Sequence, residues 1–191
     1  ALSPARRAVR RALLLTLDAA AQDPVQRRAE LAQALGRPMM YEILRPLEEL
    51  AADPALLVRA AAVAAAGQTP HRRSLGIVCR ALGDSEATVR EEALQSLRAL
   101  SFRDALPALA RLYREATDLD VRQAALEAIG RIDTLDAGLF LLEMARQDAG
   151  PAGQAALGML KGRPNLAGAL AYATAMETGS LRDALQALLA G

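Results

Sequence analysis

Three stretches of the chain place apolar residues at helical spacing and open in the same way. Each begins with a Val-Arg pair and continues as an alanine-rich run, at Val58, Val89 and Val121. The first two valines are 31 residues apart and the last two are 32 apart. Apolar residues three and four positions apart line one face of an α-helix, and a fixed period of this length indicates stacked helical repeats.

A second helical segment follows each Val-Arg helix, so each repeat is predicted to be a helical hairpin. A weaker copy comes earlier, with Arg28 in the arginine position, and another comes later, with Ala152 and Gly153 in place of Val-Arg. The second helices are predicted at residues 38–52, 70–82, 104–116, 134–147 and 164–178, and terminal helices at 4–21 and 181–190. The pattern predicts an all-α chain of about twelve helices with no strand.

The turns between the predicted helices carry aspartate and glycine. Aspartate stands before each Val-Arg helix or its equivalent, where its side chain is expected to cap the helix N-terminus. Glycine stands near the helix ends, where a left-handed residue is often needed. The predicted capping residues are Asp23, Asp53, Asp84, Asp118 or Asp120, and Asp148, and the glycines are Gly36, Gly67 and Gly130.

The two best copies, "TVREEALQSLRAL" (88–100) and "DVRQAALEAIGRI" (120–132), resemble the HEAT repeat in its short bacterial, phycobilisome-lyase-type form. The likeness is good over residues 53–147 and loose at 1–36 and 148–191. It implies a right-handed α-solenoid of about six antiparallel helical hairpins, in which neighbouring repeats supply a continuous core. We expect residues 1–191 to form a single HEAT-like domain.

In HEAT repeats an arginine near the start of the second helix can pair with an aspartate in the turn of an adjacent repeat. The resemblance therefore implies a structural ladder, because a guanidinium fork suits a carboxylate. The alternative is that the arginines form an anion-binding stripe. The ladder residues are Arg59, Arg90 and Arg122, with Asp53, Asp84 and Asp118 or Asp120 as partners.

HEAT-like proteins commonly bind other proteins, so the resemblance implies a scaffold or adaptor with a concave surface formed by the Val-Arg helices. A helix or extended segment of a partner protein is expected to lie on the outward side of these helices. The predicted partner-binding positions are Ala60, Ala64, Glu91, Gln95, Arg98, Gln123, Glu127 and Arg131.

Composition and charge argue against two other classes of protein, nucleic-acid-binding proteins and enzymes. The net charge is +1 and there is no tryptophan, so no nucleic-acid partner is expected. The charge is uneven: residues 1–114 carry 17 basic and 12 acidic residues, and residues 115–191 carry 6 and 10. The single His71 and the single Cys79 are eight positions apart, too far along a helix to act as base and nucleophile. We expect no cofactor, no metal site and no enzymatic activity. The enzymatic alternative that the resemblance implies is a HEAT-like bilin lyase or DNA glycosylase.

The N-terminal segment departs from the repeat. Arg6, Arg7, Arg10 and Arg11 form one basic face of a predicted helix, with no acid before Asp18. This face is either a solvated cap or a membrane-surface helix. In the second case the chain would be the cytosolic domain of a membrane-anchored protein that regulates or assembles a membrane complex. The chain opens without methionine, so we expect a fragment or a processed product in the cytoplasm, with the inner face of a membrane as the alternative.

Overall fold

The computed structural model describes residues 24–36, 43–148, 150–161, 167–176, 179, 182–183 and 185–187. These residues contain ten α-helices with defined bounds, one 3₁₀ turn, further helical residues at 182–183 and 185–187, and no strand, which confirms the predicted all-α fold. The helices are α1 (Pro24–Gly36), α2 (Leu44–Leu50), α3 (Leu56–Gly67), α4 (Arg72–Ala81), α5 (Ala87–Ala99), α6 (Leu106–Glu115), α7 (Leu119–Gly130), α8 (Leu135–Gln147), α9 (Pro151–Leu160) and α10 (Ala167–Met176), with the 3₁₀ turn at Arg103–Ala105 between α5 and α6.

The chain divides into two compact units, unit 1 at Ala1–Ala105 and unit 2 at Leu106–Gly191. The right-handed course of the solenoid, the number of hairpins and the single domain remain predictions. The terminal helices predicted at 4–21 and 181–190 lie wholly or largely outside the described residues, and so do Arg6, Arg7, Arg10 and Arg11. Within the described ranges, no helix is long and apolar enough to cross a membrane.

Unit 1 has two layers of helices. The Val-Arg helices α1, α3 and α5 pack side by side along most of their length, and α2 and α4 lie against them as a second layer. Val58 of α3 and Val89 of α5 are fully buried, as the apolar pattern predicts. Much of α3 is buried alanine, so its neighbours can approach closely on both sides.

The glycines of the Val-Arg helices permit this close approach and do not supply a left-handed turn. Among the described glycines only Gly179 has a positive φ, so the prediction for Gly36, Gly67 and Gly130 is wrong. A β-carbon on Gly36 would lie 2.8 Å from Ala65 Cβ, and one on Gly67 would lie 2.7 Å from Ser96 Cβ. Contacts this short do not occur in real structures, so the two positions need glycine because of their neighbours across the helix interface.

Unit 2 contains two hairpins, α6–α7 and α8–α9. The members of each hairpin pack along their length, whereas α7 and α9 contact each other over a smaller area. The rings of Tyr113 on α6 and Phe140 on α8 meet edge to face, with centroids 6.0 Å apart. Such a pair is a favourable aromatic arrangement and joins the two hairpins.

Candidate functional site

Two of the repeated arginines form ion pairs with the aspartate of the following repeat. Arg59 donates from Nε to Asp84 Oδ2 at 2.8 Å and from Nη2 to Asp84 Oδ1 at 2.9 Å. Arg28 makes the same fork to Asp53, with distances of 2.7 and 3.1 Å. Both arginines reach 25 residues ahead. The Arg59 and Asp84 side chains are only 14% and 13% exposed, so solvent screens this pair little.

The third nitrogen of Arg59 binds the turn before its own helix. Arg59 Nη1 donates to the carbonyl oxygens of Asp53 and Pro54, each at 3.0 Å. The Asp53 carboxylate also accepts the two hydrogen bonds from Arg28. Hydrogen bonds therefore run continuously from Arg28 on α1 to Asp53, from Asp53 to Arg59, and from Arg59 to Asp84. This chain of bonds connects three successive repeats of unit 1.

The ion pairs shift the pKa values of the residues that form them. The hydrogen bonds from Arg28 lower the pKa of Asp53, and those from Arg59 lower the pKa of Asp84, while burial opposes both shifts. The pKa of Arg59 is raised, mainly by its hydrogen bonds to Asp84. Both carboxylates are therefore charged at neutral pH and stabilise the fold in that form.

Arg90 and Arg122 make other contacts in the structure. Arg90 Nη1 donates to the carbonyls of Asp84 and Ser85 at 2.7 Å, but its side chain forms no ion pair with a described carboxylate of unit 1. The Arg122 guanidinium lies over the Tyr113 ring, 5.0 Å from the centroid. The assignment of Arg90, Arg122 and Asp120 to the ladder stays a prediction, and Asp120 is exposed in the first turn of α7.

The predicted capping role holds for one aspartate but not for most of them. Asp118 is the N-cap of α7 and accepts the Asp120 N–H at 2.8 Å. Asp53, Asp84 and Asp148 instead accept the N–H two residues ahead, at Ala55, Glu86 and Gly150, and these later residues are the N-caps. They shape the turn before the helix and do not cap it. Asp23 lies outside the described residues.

The single histidine has a capping role that its sequence context did not indicate. His71 is the N-cap of α4, and its Nδ1 accepts the Arg73 N–H at 3.1 Å. Cys79, on the same helix, is half-buried. Among the residues that the structure describes, no group of three or more His, Cys, Asp and Glu side chains is placed to hold a metal ion.

The predicted partner-binding positions differ in exposure. The fully solvent-facing ones are Glu91 and Gln95 on α5, Gln123 on α7, and Arg131 just after α7. The half-buried ones are Ala60, Ala64, Arg98 and Glu127. Whether a partner contacts any of them remains a prediction.

A groove of about 520 Å³ lies in unit 2 beside two of these positions. Its walls are α7 and α9, and Tyr113 of α6 closes one side. The side chains along it are mostly apolar, and Leu119 at its edge is 75% exposed. The lining residues are Tyr113, Leu119, Arg122, Gln123, Leu126, Glu127, Asp148, Pro151, Ala152, Ala155 and Met159.

The polar side chains of the groove are held in place by local contacts. Gln123 Nε2 donates to Glu127 Oε1 at 3.0 Å, one helical turn away. Asp148 Oδ1 accepts the Gly150 N–H at 2.7 Å, and the side chain is exposed. The groove thus combines an apolar floor with fixed charges at its edges, an arrangement suited to binding.

The repeats match a known family of sequences. A sequence model described as HEAT repeats matches residues 11–98 and 77–161, which together are more than half of the chain. No curated protein matches the chain. The match covers all of the Val-Arg helices in both units, and HEAT repeats form α-solenoids of stacked helical hairpins. The chain belongs to the HEAT-repeat family.

Proposed function

We propose that the chain is a scaffold or adaptor that binds a partner protein through its Val-Arg helices. HEAT repeats commonly act as protein-interaction scaffolds and are generally non-catalytic. On this proposal the ion-paired turns of unit 1 keep successive repeats in register, and the exposed side of the Val-Arg helices carries the binding residues. The partner is a protein, and no nucleic acid or cofactor takes part.

The groove of unit 2 is the observation that best supports the proposal. It lies along α7, next to the predicted contact positions Gln123 and Glu127, and its lining is mostly apolar. An apolar residue as exposed as Leu119 costs solvation free energy unless a partner covers it. Exposed apolar surface bordered by polar side chains is typical of protein interaction sites.

The test is photo-crosslinking from two faces of unit 2. A photoactivatable phenylalanine derivative replaces Gln123, which lines the groove, or Glu143, which is exposed on α8 and does not line it. Both variants are produced in the source cells and irradiated. We expect one defined protein to crosslink from position 123 and not from position 143. Equal crosslinking from both positions, or a partner found only at 143, would contradict the proposal.

The membrane-associated alternative depends on Arg6, Arg7, Arg10 and Arg11. Each arginine near an anionic bilayer contributes about 1 kcal/mol, so four could orient a domain that is already tethered. The test is co-sedimentation with anionic and neutral vesicles, using the parent and a variant with all four arginines changed to serine. Salt-sensitive binding to anionic vesicles alone, lost in the variant, would favour this alternative. Equal behaviour of the two proteins would exclude it.

A further inference from the structure

We infer that the groove of unit 2 binds a short partner segment that carries an apolar anchor residue next to a basic residue. This inference rests on the proposed function and adds the chemistry of the segment. It follows from the apolar lining, the openness and the charges of the groove.

The size and lining of the groove suit a few apolar side chains. Its volume of about 520 Å³ falls within the range of about 300–1,000 Å³ that is usual for ligand sites. Leu126 and Met159 provide bulky apolar surface, and Ala155 leaves room above α9. Because Leu119 is largely exposed, the groove is open at its edge. An open groove can take side chains from a segment whose backbone stays outside, whereas small ligands are usually more enclosed.

The groove exists because α7 and α9 are held apart. In unit 1, glycines at positions 36 and 67 meet Ala65 and Ser96, each 29 residues ahead, and the helices pack closely. The equivalent pair in unit 2 is Gly130 and Met159. A methionine side chain fills more space than alanine or serine, so α9 cannot approach α7 along its whole length. The groove lies between the two helices, from Leu119 to Glu127 on α7 and from Pro151 to Met159 on α9.

The charges of the groove favour a basic group. The lining contains two carboxylates, Asp148 and Glu127, and one cation, Arg122. The Arg122 guanidinium is already stacked on the Tyr113 ring. Asp148 is exposed, and the hydrogen bond from Gly150 uses one of its oxygens, so the other can accept a lysine or arginine. The exposed Asp118 and Asp120 flank Leu119 in sequence and add negative charge near that edge.

Other occupants fit the charges less well. A nucleic acid would place phosphates against Asp148 and Glu127. A second copy of this chain could offer its own basic residues, since residues 1–114 carry 17 basic and 12 acidic residues. A second copy would make the protein self-associate, and the parent and groove variants are therefore compared by sedimentation velocity.

The probe is a library of random 12-residue peptides displayed on phage and selected on the 191-residue chain. Enriched peptides are synthesised, and their affinities are measured by fluorescence polarisation. Two pairs of variants locate the site. Ala155→Trp fills the groove, and Gln154→Trp places the same side chain on an exposed position of α9 that does not line it. Asp148→Asn removes the edge charge but keeps the acceptor oxygen, and Asp133→Asn removes an exposed charge elsewhere in unit 2.

We expect the enriched peptides to share a leucine, isoleucine, methionine or phenylalanine within two or three positions of a lysine or arginine. Ala155→Trp should weaken binding at least about tenfold and Gln154→Trp less than about twofold, because only the first occupies the groove. Asp148→Asn should weaken binding about two- to fivefold, the range of an exposed charge pair, and Asp133→Asn should not. Thermal melts of all four variants check that they are folded.

Three results would overturn the inference. The first is a set of peptides that are acidic, or that bind Asp148→Asn as well as the parent, and yet lose binding to Ala155→Trp. Such peptides would refute the basic residue of the segment but leave the proposed function standing. Peptides that bind equally to Ala155→Trp and Gln154→Trp would remove the groove as a binding site and, with it, the main support for the proposed function. Self-association of the parent that Ala155→Trp abolishes would identify a second copy as the occupant.

Discussion

At the scale of single residues, the arginine of the repeat has two separate roles. Its Nη1 binds the carbonyls of the turn before its own helix, as seen for both Arg59 and Arg90. Its Nε and Nη2 donate to a carboxylate of the next repeat, as seen for Arg28 and Arg59. The first role fixes a hairpin internally, and the second fixes one hairpin against the next. Only the second includes a charge partner that would be left unpaired if the arginine were lost.

Arg59→Ala should therefore destabilise the protein more than Arg90→Ala. Loss of Arg59 leaves Asp84 largely buried without its partner, which should cost about 1–3 kcal/mol. Loss of Arg90 removes hydrogen bonds from an exposed side chain to two carbonyls and should cost at most about 1 kcal/mol. Urea unfolding of both variants measures the difference. Equal losses, or a larger loss in Arg90→Ala, would show that the ion pair does not carry the stability assigned to it.

The same ion pair should make stability depend on pH in the acid range. The pKa of Asp84 is lowered in the folded state, so its contribution is present above the unfolded pKa of about 3.9 and is lost as pH falls through the folded value. Asp84→Asn should be less stable than the parent at pH 7 and at pH 5, and the difference should shrink below about pH 4.

The matched control for this pH dependence is Asp84→Asn in an Arg59→Ala background. Without the guanidinium that lowers the Asp84 pKa, the difference between aspartate and asparagine should change less with pH. Free energies of unfolding at pH 7, 5 and 3.5 test this. If Arg59 is present and the stability difference between the parent and Asp84→Asn is as large at pH 3.5 as at pH 7, the charge-based explanation is contradicted.

The sequence predicted the arginine positions but not all of their partners. Arg28 and Arg59 each reach an aspartate 25 residues ahead. The residue 25 positions after Arg90 is Glu115, and the one after Arg122 is Gln147, so neither has an aspartate there. A rule that the aspartate lies 25 residues after its arginine would have selected the two Arg–Asp pairs, Arg28–Asp53 and Arg59–Asp84. The stacking of Arg122 on Tyr113 depends on how α6 and α7 pack, which a spacing rule does not contain.

At the scale of helices, the size of one side chain sets how closely Val-Arg helices approach. Ser96 faces Gly67 from α5, and its Oγ donates to the Val63 carbonyl at 3.2 Å in a buried position. This bond holds α5 directly against α3. In unit 2, Met159 takes the corresponding place opposite Gly130. Close packing in unit 1 and an open groove in unit 2 thus follow from the same pair of positions.

Gly67→Ala and Gly130→Ala should differ in stability for this reason. A β-carbon at Gly67 would meet the Cβ and Cα of Ser96, which cannot move without shifting α5, and such overpacking should cost about 1–3 kcal/mol. A β-carbon at Gly130 would meet Sδ and Cγ of Met159, which a change of the methionine rotamer can move, and the gain in helix propensity of up to about 1 kcal/mol should offset most of that cost.

Thermal unfolding of the two glycine variants checks this, with Gly67→Ala combined with Ser96→Gly as the control. The second substitution removes the side chain that the new methyl group would strike, so part of the lost stability should return. If Gly67→Ala is as stable as the parent, the interface between α3 and α5 is looser than the structure shows.

The helices themselves were largely predictable, whereas their ends were less so. The apolar pattern predicted helices at 70–82 and 134–147, and the structure has them at Arg72–Ala81 and Leu135–Gln147. The helix predicted from residue 104 instead starts with a 3₁₀ turn at Arg103–Ala105. The groove could not be predicted, because the repeat pattern treats Met159 as one more apolar residue. Its size matters only once Gly130 is known to lie opposite.

At the scale of the whole molecule, the repeat architecture and the charge distribution limit the kinds of partner. The chain has 23 basic and 22 acidic residues, a net charge of +1. Within unit 1, several arginines already pair with carboxylates: Arg28 with Asp53, Arg59 with Asp84, and Arg73 and Arg80 with Glu48. Cations that are already paired in this way contribute little to binding a polyanion.

We therefore predict no strong binding to nucleic acid at physiological salt. Binding driven by phosphates needs about 6–10 cation contacts to give a steep dependence on salt. The four clustered arginines at positions 6, 7, 10 and 11 fall short of that number. Fluorescence anisotropy with a labelled 20-base-pair DNA should show no binding at about 10 µM protein, a concentration at which non-specific DNA-binding proteins usually bind. Salt-sensitive binding below that concentration would contradict the prediction.

The central claim is that a partner protein binds on the groove side of unit 2. The most direct measurement is the affinity of the partner identified by crosslinking for Leu119→Ser and Leu139→Ser. Both leucines are exposed in unit 2, at 75% and 46%, but only Leu119 lines the groove. Calorimetric titration should show binding at least about tenfold weaker for Leu119→Ser and within about twofold of the parent for Leu139→Ser. Loss of binding in Leu139→Ser with Leu119→Ser unaffected would place the binding surface on α8 and contradict the claim.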